Sequence, residues 1–140
     1  MAPVPCQPTV RSHLSQAVCD SGWEATVARA LDESPRVRAW VKNHRLGFEI
    51  PYSFRGEPHA YTPDFLVELV GPMHGAGAEV RDGAGSGEHL VIEVKGLERE
   101  QDRAKQVGMQ CWIDAVNHWG RLGRWRFEKL YSPHDLARVL

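Results

Sequence analysis

The run Leu90-Val91-Ile92-Glu93-Val94-Lys95 constrains the fold more than any other segment of this chain. Val91, Ile92 and Val94 mark it as a buried strand, and a buried strand needs a sheet with cover on both faces. Strand side chains alternate, so Glu93 and Lys95 project to one side while Ile92 and Val94 project to the other. Two unpaired charges in a buried strand are expensive. Either a metal joins them or they form a structural ion pair, and the burial cost favours the metal.

A second apolar run, Tyr61–Val70, contains Pro63-Asp64-Phe65. Proline cannot donate to a sheet ladder, so Pro63 favours a strand start or a distorted point beside Asp64. If the two strands pair across the glycine-rich stretch Gly71–Gly87, Asp64 and Glu93 face one site. Mg2+ takes hard oxygen ligands and keeps several waters. Asp64, Glu93 and the backbone carbonyl of Val94 form such a set, with Mn2+ as a substitute ion. The bound metal polarises a phosphoryl oxygen and acidifies water. Lys95 then orients that water or stabilises charge at phosphorus.

The remaining pattern predicts a mixed α/β domain, with helices covering a central sheet. Ser21-x-x-Glu24 reads as a capping box opening a helix. Trp23, Val27, Ala30 and Leu31 follow as its apolar face, and Ser34-Pro35 ends it. Glu24 borders that face and could reach the metal, but on the residues alone its cap role is the preferred reading. Strands are expected at 37–41, 48–54, 61–70 and 90–94, with 125–131 as the last. The longest helical pattern runs from Leu97 to Trp119, with Ala104, Val107, Cys111, Trp112, Ala115 and Trp119 as its stripe. Lys105 lies at the edge of that stripe, a candidate phosphate contact or an ordinary solvent contact. Ser132-Pro133 opens a short final helix. Residues 1–12 are read as a flexible tail ahead of a domain spanning 13–140.

Composition excludes several classes. With 140 residues the chain fits one domain, and a net charge of −1 rules out a uniformly basic nucleic-acid binder. Residues 95–130 nevertheless carry eight Lys/Arg against five Asp/Glu. The three cysteines form no CxxC pair and fit a reducing cytoplasm, with Cys111 read as a small core hydrophobe. No stretch suits a membrane span or signal peptide. None of the seven histidines pairs at metal-ligand spacing, and no phosphate-loop motif for ATP occurs.

These residues together resemble the PD-(D/E)xK nuclease superfamily. More narrowly, the chain resembles the C-terminal endonuclease domain of type III restriction enzyme restriction subunits. The matching segments are Ser21-Gly22-Trp23-Glu24, Val41-Lys42-Asn43, Leu46 to Tyr52 (LGFEIPY), Tyr61 to Phe65 and Ile92 to Gly96. Trp112, Asn117 and Gly123-Arg124-Trp125 also look similar. The resemblance implies a restriction-endonuclease-like αβββαβ core and Mg2+-dependent cleavage of double-stranded DNA. It makes Asp64, Glu93 and Lys95 the catalytic residues, with Glu24 as helper. Restriction subunits of that type carry an ATP-driven motor that this sequence lacks. A separate helicase/ATPase or modification subunit is therefore an expected partner, and the chain is expected to be a fragment, a separately encoded piece or a remnant. The rival reading is a catalytically inactive nuclease-fold module for DNA binding or assembly.

Overall fold

The computed structural model describes residues 6–8, 16–18, 22–70, 87–95 and 99–140. Cys6–Pro8 (β1) pairs antiparallel with Gln16–Val18 (β2). The chain then runs through Gly22–Glu33 (α1), Val37–Lys42 (β3), Ile50–Phe54 (β4), Glu57–Tyr61 (β5), Phe65–Leu69 (β6) and Glu88–Val94 (β7). Glu100–Trp119 (α2), Arg124–Leu130 (β8), a 3-10 turn at Pro133–Asp135 and Leu136–Val139 (α3) complete it. The expected capping residue Ser21 and most of the expected Gly71–Gly87 loop lie outside the described residues.

The protein is a mixed α/β domain. Among the described residues its main sheet has four strands, in the order β3-β6-β7-β8. The first two pairings are antiparallel, with Lys42 opposite Phe65 and Phe65 opposite Ile92. The last is parallel, from Glu88 beside Arg124 to Val94 beside Leu130. A parallel pair requires a crossover, and α2 supplies it.

Strand alternation on β7 divides the core in two. Leu90 and Ile92 face α1 and α3, packing with Val27, Leu31, Trp40, Phe65 and Leu136. Val91 faces the other way, against Met109 and Ile113 of α2 and the β4–β5 hairpin. Both faces of β7 are therefore covered, as its composition predicts. Among the described residues, no helix is long and apolar enough to cross a membrane.

Three details differ from the sequence reading. The expected strand 61–70 is two elements: Tyr61 closes the β4–β5 hairpin, and β6 starts only at Phe65. The hairpin turns at Arg55 and Gly56, with φ of 52° and 77°. On α1, the buried set is Glu24, Val27, Ala28 and Leu31, at helical spacing, while Trp23 is 44% exposed. The wheel is turned so that Glu24, which meets Lys42, faces inward.

The face of α2 is rotated too. It starts at Glu100 and buries Asp102, Met109, Ile113 and Val116. Ala104 and Trp112 pack partly against the core, but Val107, Cys111 and Trp119 are exposed. Cys111 is thus not a core residue. The physical reason lies in two residues that an apolar count ignores. Asp102 is drawn inward by Lys95, and Gly108 lies on the backbone of β4.

Candidate active site at the ends of β6 and β7

Asp64 stands just before β6 in a backbone stitched to both neighbouring strands. Its N–H donates to the carbonyl of Ile92 at 3.1 Å, and its carbonyl accepts from the N–H of Asn43 at 2.8 Å. Asn43 tightens this point. Its side-chain amide donates to the carbonyls of Pro63 and Phe48, each at 2.9 Å. One buried amide thereby fixes the segment after β3 and the segment carrying Asp64. Asn43→Ala is expected to cost about 1 kcal/mol by urea denaturation, because it leaves two carbonyls without their donor.

The side chain of Asp64 is held as firmly. Oδ2 accepts the Val94 N–H at 2.7 Å. Oδ1 lies 3.5 Å from Lys42 Nζ, which is also 3.2 Å from Glu24 Oε1. Burial pushes the Asp64 carboxyl up to about 7, aided by a side-chain hydrogen bond with Glu24 and that residue's charge. Lys42 and the Val94 N–H pull the other way. Two carboxyls joined by a hydrogen bond share a proton, which explains why Asp64 remains a weak acid beside an ammonium.

Glu93 and Lys95 lie on the α2 side. The β6–β7 register, extended by one residue, sets Asp64 opposite Glu93. Burial raises the Glu93 carboxyl above the usual range, against the opposing pull of Lys95, Lys129 and Lys105. Among the described residues the Glu93 carboxylate makes no hydrogen bond or ion pair. Lys95 instead pairs with Asp102, Nζ to Oδ1 at 2.7 Å. The structural ion pair between Glu93 and Lys95 is therefore not formed. Burial opposes the charge of Asp102, but the Lys95 hydrogen bond and the Arg99 N–H outweigh it and hold its carboxyl below the usual range. Lys105 lies 3.9 Å from Asp102 and 5.5 Å from the ring centroid of Tyr61. The Tyr61 hydroxyl is buried without a partner, and burial together with Glu93 raises its pKa.

Two groups result, joined along β7. One contains Glu24, Lys42, Asp64 and the Val94 amide. The other contains Glu93, Lys95, Asp102 and Lys105. Compared with family models, curated proteins and solved structures, the chain matches none.

Among the described residues, no three His, Cys, Asp or Glu side chains form a group that could hold a metal. The set proposed from sequence relies on fewer side chains. In an antiparallel ladder, a residue's N–H and C=O leave the same strand edge, so the Val94 carbonyl faces the Asp64 side with its N–H. The Asp64 and Glu93 carboxyls, opposite one another in the register, and the Val94 carbonyl are hard oxygens of the kind a small divalent cation takes, with water completing its shell. The donor types fit, although Lys42 already contacts the Asp64 carboxyl.

Lys42 and Asp102 were not singled out as site residues from sequence, though both left a signal. Lys42 follows Trp40 by two residues and so shares its buried face. Asp102 precedes Met109 by seven residues, two helical turns, and so shares its face on α2.

Proposed function

We propose that this protein is a Mg2+-dependent endonuclease domain that hydrolyses phosphodiester bonds of double-stranded DNA in the cytoplasm. In this reading its core is restriction-endonuclease-like and related to the type III restriction systems. The observation that carries the reading is the Asp64 carboxyl, bonded to the Val94 amide and Glu24, at the end of the strand that bears Glu93 and Lys95. The element order supports it: with the β4–β5 hairpin set aside, α1-β3-β6-β7-α2-β8 follows an αβββαβ plan.

Asp64, Glu93 and the Val94 carbonyl would hold Mg2+ or Mn2+, with Glu24 supporting Asp64. The ion would supply Lewis acidity toward a phosphoryl oxygen and acidify a bound water. Lys95 places positive charge beside Glu93, where charge develops at phosphorus. Asp102 keeps that ammonium in place. Lys105 adds a second cation toward the phosphate. A separate helicase/ATPase or modification subunit would provide DNA targeting.

The test is plasmid nicking with Mg2+ by wild type, Asp64→Ala and Lys95→Ala. Each substitution is expected to slow nicking at least about tenfold. Equal cutting by all three proteins would remove the catalytic assignment. One observation favours the rival module: each acid of the first group already has an ammonium beside it. DNA binding without any binding of Mg2+ or Mn2+ would decide for that rival.

A further inference from the structure

We propose that the Lys42 ammonium is the resident counter-ion of Glu24 and Asp64, and that a divalent cation binds at Asp64 by displacing it from that carboxyl. This rests on the metal-binding reading above and adds a control on it. Lys42 is 3% exposed at the end of β3, turned inward on the same face as Trp40. Its Nζ lies 3.2 Å from Glu24 Oε1, 3.5 Å from Asp64 Oδ1 and 5.4 Å from the ring centroid of Phe65.

The two oxygens of Asp64 have donors of unequal mobility. Oδ2 takes a backbone N–H at the end of β7, whose neighbouring Lys95 N–H is tied to Leu130 in β8. Oδ1 takes an ammonium on a flexible four-carbon stem. A cation approaching the carboxylates therefore moves the lysine rather than the strand. It also carries twice the charge of the group it replaces, so its attraction to the ionised Asp64 carboxylate is greater at equal distance. Lys42 thus holds the acids together without metal, and the effort of moving it sets the affinity for metal.

The experiment titrates full-length wild type, Lys42→Gln and Lys42→Arg with Mn2+, counting free ion by electron paramagnetic resonance. Lys42→Gln removes the competing charge and is expected to bind at least about tenfold more tightly than wild type. Lys42→Arg keeps the charge and is expected to bind no more tightly than wild type. A measurement without substitution accompanies these. The Lys42 side-chain carbon resonance of wild type is followed during Mg2+ addition, and it is expected to shift in step with saturation. If wild type binds metal but Lys42→Gln gains nothing, or the Lys42 resonance stays still through saturation, the counter-ion role is overturned while the metal site stands. If neither wild type nor Lys42→Gln binds metal, both readings fall.

Discussion

Gly108→Val is expected to destabilise the protein by about 3 kcal/mol or more. Gly108 lies mid-helix in α2, where glycine alone costs about 0.5–1 kcal/mol relative to alanine. The compensation is contact. A Cβ there would strike the carbonyl oxygen of Pro51 and come within 2.8 Å of Tyr52 Cβ. Neither neighbour can yield easily, because both lie in β4, paired residue by residue with β5. The helix would have to lift, separating Met109 and Ile113 from Ile50 and Tyr52. Gly108→Ala gives the sharper measurement. On a free helix surface alanine would stabilise by about 1 kcal/mol, whereas here it should destabilise. Urea denaturation of both variants checks this, and a stabilised alanine variant would refute the close approach.

Asp64→Asn is expected to raise stability by about 2–3 kcal/mol at pH 8 in metal-free buffer, and to change little near pH 4. The folded protein holds a proton on Asp64 up to about pH 7, whereas the unfolded chain releases it near the ordinary value of 3.8. A carboxyl whose folded pKa is raised lends stability at low pH, and that stability is lost as pH climbs from about 4 to 7. Asparagine mimics the protonated form: its oxygen accepts the Val94 N–H and its amide donates to Glu24. The difference between wild type and variant, measured by urea denaturation from pH 4 to 8, isolates Asp64 from Glu93 and Asp102. A pH-independent difference would show that Asp64 titrates normally. A buried acid that weakens the fold at neutral pH is the pattern found where chemistry rather than stability sets the residue.

The strands were legible where their composition was decisive. Leu90 to Val94 could be little else, and its alternation correctly separated Glu93 from Ile92. The β4–β5 hairpin was hidden because its turn uses Arg55-Gly56. Both residues have positive φ, which is usually signalled by Asn or Asp before Gly. The helix faces were misjudged for a related reason. A wheel drawn from apolar residues favoured Trp23 and Cys111 over Glu24 and Asp102. The lysines that pull those acids inward lie outside the two helices, Lys42 at the end of β3 and Lys95 just after β7. Charge pairing between a helix and a strand leaves no periodic trace.

The parallel pairing of β7 with β8 also governs how the chain must be made. Until Arg124–Leu130 has been synthesised, β7 can pair only with β6, leaving one edge of Leu90, Val91 and Ile92 open. An apolar strand with a bare edge is a template for aggregation. Glu93 and Lys95 follow that apolar stretch in the position of charged gatekeepers. Charges at those two positions oppose edge-to-edge pairing of the strand in the interval before β8 is made.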